Sequence, residues 1–270
     1  MKKVLLFLFC VCCLQGIAQK TAIESLPMIY GENSIYDVYF KWGLIMSRAG
    51  EASFTYKADR TVNNAVSLYQ LLFKTTKFYD NFFKMRDTLS GYYDDDKVLI
   101  YSDKRSDEGN YYTIDELKFN YGEENTSIHS VRYTPSGKRI DTILIAVGDV
   151  SDMLSVAYYM RGVDRKKMEP GDTFPFIVAI GRDLVNMQFI YQHQAVVEHG
   201  KVKFNTRYFK VDIMDEAFES TKTSAEVWVG DDDNFLPVKL RSKLKIGYVE
   251  VYFKSASGLA YPLSCRVEMK

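Results

Sequence analysis

Long apolar runs, proline, histidine and pairable cysteine are all scarce in this chain of 270 residues. The longest unbroken apolar stretch, Val4 to Leu14, spans eleven residues, well short of the roughly 20 that a membrane-crossing helix needs. Three of the four cysteines, Cys10, Cys12 and Cys13, fall inside it, so Cys265 has no internal partner beyond it and no disulfide can staple the fold. Six prolines leave few obligatory breaks, and three histidines limit metal and proton chemistry. Neither charge sign dominates, with 35 basic and 35 acidic side chains, which argues against nucleic acid as a partner.

The first residues have a definite order. Lys2 and Lys3 precede the apolar run, and Gly16 and Ala18 place small side chains at −3 and −1 before Gln19. This is the layout of a cleavable secretory signal over residues 1–18. Cys13 follows Cys12 rather than Gly or Ala, and Cys10 precedes the end of the run, which disfavours a lipoprotein anchor. Residues 19–270 then form one β-rich domain, or two coupled sheet halves meeting near residues 148–170. That part carries 33 basic against 35 acidic side chains, which argues against an anionic membrane as its main partner. It is expected to be soluble and exported, in the periplasm or cell envelope, without a transmembrane anchor.

Aromatic residues are abundant, 20 Tyr and 17 Phe, and they recur at period two. Tyr36, Val38, Phe40 and Trp42 alternate with Ile35, Asp37, Tyr39 and Lys41, and Ala52, Phe54 and Tyr56 resume after Gly50. Strands are expected at 98–101 and 111–121 around a charged loop at 103–110. A Pro135-Ser136-Gly137 hairpin should join 128–133 to 140–147. Helices are expected at about 74–84 and 150–161, the second docked by Met153, Val156, Ala157 and Met160. The apolar phase slips by one residue near Tyr208 and again near Tyr248, as a β-bulge or corner would require. The predicted fold is mainly β: a strongly curved antiparallel sheet, an open or half barrel, with a few short helices.

No catalytic constellation stands out. His193, Glu198 and His199 could approach one another across a turn, but no metal-binding spacing occurs. The triplets 94–96 and 231–233 are acidic turns without the spacing a calcium loop needs, and solvated hairpins are the expectation. Ser242-Lys243-Leu244-Lys245 has the S-x-x-K form, yet in a strand its Ser and Lys face opposite sides. No phosphate-binding loop leads from strand to helix, so neither cofactor nor metal is expected.

Several stretches resemble the exported bacterial proteins called domain of unknown function 3108. They are Gly31-Glu32 with Tyr36-x-Val38-x-Phe40 and 49–52; 152–155 through Tyr158-Tyr159-Met160-Arg161 with 170–172; and Val227-Trp228, 231–234, 236–238 and Ile246-Gly247. The resemblance implies a curved antiparallel sheet with a few helices, similar in outline to periplasmic lipoprotein carriers, and supplies no catalytic residue.

The expected function is therefore a non-enzymatic envelope protein that binds or carries a hydrophobic ligand, an apolar small molecule or lipid, on its concave face. Trp42, Phe54, Tyr56, Tyr159 and Met160 are the expected lining. The alternative is a structural or interaction protein that engages an envelope protein through strand edges or an apolar groove. N-terminal sequencing of the exported chain should begin at Gln19, whereas a start at a lipid-modified Cys13 would show an anchored protein.

Overall fold

The computed structural model describes residues 26–109, 111–214, 225–244 and 247–268; the expected signal segment lies outside them. The first half contributes β1 (Glu32–Trp42), β2 (Ile45–Ala58), β3 (Ser67–Thr75), helix α1 (Lys77–Asp80), β4 (Met85–Tyr93) and β5 (Leu99–Glu108). It continues with β6 (Tyr111–Tyr121), β7 (Asn125–Thr134) and β8 (Gly137–Val147). After β9 (Val150–Ser151) and helix α2 (Met153–Met160) come β10 (Thr173–Ile180), β11 (Asp183–His199) and β12 (Val202–Met214). The last strands are β13 (Ala225–Gly230), β14 (Pro237–Lys243), β15 (Tyr248–Ser257) and β16 (Arg266–Glu268).

All of them join one sheet, in the order β8 to β1, then β15 down to β9, with β16 added to β12. Two meanders thus meet where β1 pairs with β15, and among the described residues only the short β9–β10 pair is parallel. The sheet curls until it is nearly a closed barrel. At the remaining seam the Ser130 hydroxyl donates to the Gly181 carbonyl at 2.6 Å, and Arg182 donates to the Arg139 carbonyl at 3.0 Å.

Register shifts interrupt six of the strand pairs, and each one bends its strand. One lies beside Tyr208: Tyr191 pairs with Phe209 and His193 with Tyr208, so the extra residue is Gln192 on the neighbouring strand. The burial of β12 changes phase there, from Phe204 and Thr206 to Phe209 and Val211. The slip expected near Tyr248 has a different origin. Lys243 and Tyr248 pair at the ends of two antiparallel strands, and just beyond β14 the Leu244 amide donates to the Gly247 carbonyl at 3.0 Å. Ile246 lies outside the described residues.

Three further expectations are corrected. The charged stretch 103–108 is strand rather than loop, because it pairs on both sides, with β4 and β6. The expected helix at 74–84 shrinks to α1, capped by the Thr76 hydroxyl. Helix α2 starts later than expected because the Asp152 carboxylate accepts from the Ser155 amide at 2.6 Å and caps it. Met153 is 47% exposed and Ala157 half-buried, whereas Leu154, Ser155, Val156, Tyr158 and Met160 are buried. A single apolar docking face does not describe this helix, which is enclosed on several sides. Leu154 and Tyr158 pack with the β2–β8 core, and Val156 and Met160 with the core of β10–β13.

Immediately after α2, Arg161 is only 1% exposed and pairs with Glu32, which is 2% exposed. Its guanidinium makes a two-pronged bond to both Glu32 oxygens and also donates to the Pro27 and Asn234 carbonyls, each at 3.0 Å. Removing one partner of a buried ion pair leaves the other uncompensated, at about 3–5 kcal/mol. Arg161→Met and Glu32→Gln should each lower unfolding stability by about that much, and the double variant by less than the sum of the two. Additive losses in denaturant titrations would show that the pair is not coupled.

Candidate functional site

The aromatic surplus is concentrated around α2. The Tyr158 ring stacks on Tyr93 with centroids 4.1 Å apart, and Tyr69 and Tyr56 lie 5.6 and 6.0 Å away. The Tyr93 hydroxyl hydrogen-bonds the Ser155 hydroxyl at 2.8 Å. The Tyr159 hydroxyl accepts from the Leu99 amide at 3.0 Å and donates to the Lys97 carbonyl at 3.3 Å. Burial pushes the Tyr93 and Tyr158 phenols far above their ordinary value, so they stay neutral.

The five expected lining residues do not form one wall. Phe54 packs between Tyr36 and Tyr69, Tyr56 is buried beside Tyr158, and Tyr159 closes against Tyr93. Met160 faces the other core, with Phe176 and Phe209. Trp42 lies apart from all four, 61% exposed at the end of β1. Apart from Trp42, their apolar surface is covered by other core side chains and by α2. Two open hollows lie elsewhere: about 500 Å3 beside Asp164, Lys167 and Phe174, and about 260 Å3 over Glu51, Leu72 and Arg86.

Two to four residues along from the aromatic core, the same face of the sheet becomes polar. Alternation from Leu89, Leu117 and Ile128 brings Asp87, Asp115 and Arg132 onto that face, with Lys104 opposite both Leu89 and Asp115. Arg132 clamps Asp115 with two hydrogen bonds, the longer at 3.0 Å. Burial raises the Asp87 carboxyl, against the opposing pull of Lys104. This half of the concave face does not suit an acyl chain.

The remaining candidates take structural places. His193 and His199 sit six residues apart on β11, roughly 20 Å at strand rise, and do not meet. His199 stacks on Tyr252 at 4.3 Å, and His129 bonds Asp141 at 2.7 Å. Among the described residues no three His, Cys, Asp or Glu side chains converge as a metal site. The triplet 231–233 is not a solvated hairpin. Asp231 accepts from Arg207 at 2.8 Å, Asp233 pairs with Arg165, and buried Asp232 accepts from the Asn234 and Cys265 amides at 3.0 and 3.2 Å. Ser242 and Lys243 close β14, and Lys245 lies outside the described residues.

The apolar surface that is open faces outward. On β8, Ile143, Ile145 and Val147 are exposed in alternation while Leu144 and Ala146 pack inside. At the end of the barrel where β1 stops, Trp42, Leu44, Ile45, Phe78, Phe82 and Leu244 are exposed. A period-two pattern places alternate residues on opposite sides of a strand but cannot say which side is covered.

The sequence pattern of the family described as protein of unknown function (DUF3108) matches residues 35–254. The crystal structure of a beta-barrel-like protein of domain of unknown function DUF1849 from Brucella abortus is similar in fold. Its TM-score is 0.56 at 8% identity, over 86% of this chain and 99% of that one. A Bacteroides fragilis protein put forward as exported, with a YmcC-like fold, aligns over 86% of this chain and 98% of its own at 8% identity and TM-score 0.30. No curated protein matches the chain.

Cys265 is buried, and burial followed by its hydrogen bond to Asp232 pushes its thiol well above the ordinary range. Ellman's reagent should therefore modify Cys265 only after denaturation. Rapid reaction of the folded protein would reveal an opening between β16 and the 231–234 turn.

Proposed function

The chain belongs to the DUF3108 family, which brings a fold without an activity, and from its surface we propose an exported, non-enzymatic envelope protein that engages a partner by strand addition at β8. The basic, apolar and small-residue order of residues 1–18 supports export. The observation that carries the reading is the state of β8. It ends the sheet order, with β7 as its hydrogen-bonded neighbour among the described residues.

Edge strands are normally guarded by charge, proline or bulges. In β8 those guards sit at the start, with Lys138, Arg139 and Asp141 and a register shift near Arg139. From Ile143 to Val147 there is none, and the outward side chains are apolar. An extended segment could pair its backbone there and cover Ile143 and Ile145, as peptide-binding sheets do. A hydrophobic-ligand carrier is the weaker reading, because Tyr158, Tyr159, Phe54 and Tyr56 fill the space an acyl chain would take. An enzyme lacks support for a similar reason: the Ser155 hydroxyl is held by Tyr93, and Cys265 is buried.

A photo-crosslinking side chain at position 145 in living cells should give a discrete adduct that Ile143→Lys abolishes while the melting temperature stays within a few degrees. The same probe at exposed Val196 should give none. Saturable binding of a fluorescent fatty acid, lost on Phe54→Asp in a still-folded protein, would restore the carrier reading in its place.

A further inference from the structure

One end of the barrel gathers apolar side chains that nothing in the described chain covers. The β1–β2 turn presents Trp42, Leu44 and Ile45, and Leu44 is fully exposed. On one flank stands α1, held against β2 by the Thr76 amide donating to the Ala49 carbonyl at 2.9 Å. Phe78 on α1 and Phe82 in the turn after it are exposed, and their rings meet edge-on at 5.4 Å. On the other flank is the β14–β15 turn with exposed Leu244. Gly247 lies so close to β1 that a Cβ there would stand 2.2 Å from the Lys41 carbonyl. Its φ of +75° also calls for glycine, so turn and strand end sit side by side.

The charges around this end are uneven although the whole chain is nearly neutral. Arg86 neutralises Asp80 at 2.6 Å, Lys84 pairs with Asp107 at 3.3 Å, and Glu51 is held by Lys254 at 3.0 Å and Arg48 at 3.2 Å. Lys77 and Lys243 have no carboxylate within ion-pair distance among the described residues, and the Lys41 ammonium has only buried Glu250, 3.8 Å away. Against these three lysines stands Glu108, opposite Met85 and without an ion pair among the described residues, so the balance beside the apolar tips is positive. The tips are convex and come from three separate turns, so a rigid protein partner would need a matching cup. A lipid surface is deformable, accepts Trp and Phe at its headgroup level, and attracts lysines placed just behind them.

We propose that this end of the barrel docks the protein peripherally on an anionic lipid bilayer. Trp42, Leu44, Ile45, Phe78 and Phe82 enter the boundary between headgroups and acyl chains, and Lys41, Lys77 and Lys243 meet lipid phosphates. The site is separate from Ile143 to Val147, which run toward the opposite end of β8, so either surface can fail without the other.

Protein purified from its own cell envelope, carrying Trp228→Phe so that Trp42 is the one tryptophan, reports on the contact directly. Vesicles of phosphatidylethanolamine with phosphatidylglycerol should shift Trp42 emission to the blue and sediment the protein. Leu44→Glu with Ile45→Glu should weaken binding by about tenfold or more, and Lys77→Glu with Lys243→Glu should weaken it on these vesicles. Ile143→Glu should leave binding unchanged, and phosphatidylcholine vesicles should bind less. If a melting curve shows that the first pair disturbs folding, the lysine variant alone decides. Absence of any emission shift or sedimentation overturns the proposal, as does binding that both variants leave intact. A dimer that Leu44→Glu with Ile45→Glu disperses, without vesicle binding, overturns it in favour of a second copy of the chain.

Discussion

The guanidinium of Arg161 is where the chain ties itself together. It is buried, and every direction in which it donates reaches a different part of the sequence: Glu32 at the start of β1, Pro27 before it, and Asn234 in the β13–β14 turn. An unpaired charge at that depth is prohibitive, so the fold must bring all three segments together or not close at all. Three stretches that resemble DUF3108 proteins, around Glu32, Tyr158–Arg161 and 231–234, converge on this one side chain. Their meeting is a structural requirement rather than a reactive site, since the polar atoms are mutually satisfied and the pair is almost fully buried.

Arg161 also fixes what the concave face can do. By holding the end of α2, it keeps the Tyr158 ring stacked on Tyr93 and sets Val156 and Met160 against the β10–β13 core. The helix works as a plug shared by the two meanders. A curved sheet of this size could in principle enclose a ligand, but here the interior is divided between a plug with its aromatic collar and a polar stretch around Arg132 and Asp115. The uncovered apolar side chains lie on the outside of the barrel, and both surfaces proposed above are built from them.

The outside is organised by position along the strands. Near one end, Trp42, Leu44, Phe78 and Phe82 project beside uncompensated lysines; toward the other, β8 offers an unguarded edge. A protein resting on a lipid surface by the first would hold the second away from it, facing whatever else the envelope contains. Such a division costs little stability, because both surfaces lie on strand ends and an edge that the core does not need.

By itself, the amino-acid sequence determined the class of fold. Period-two aromatics, scarce proline and the 135–137 turn dictate an antiparallel curved sheet, and the phase change near Tyr208 marked a real irregularity. Those are local properties, since alternation and turn chemistry act over a few residues. Only the tertiary structure decided which side of each pattern is covered. Met153 and Val156 look alike in sequence, yet one is open and the other enclosed, because strands far along the chain surround α2. Trp42 and Tyr56 lie on adjacent alternating strands and end in solvent and core respectively. Arg161 and Glu32, 129 positions apart, carry no local signal of their pairing. Burial and long-range charge compensation are set by three-dimensional neighbours, and no window of sequence contains them.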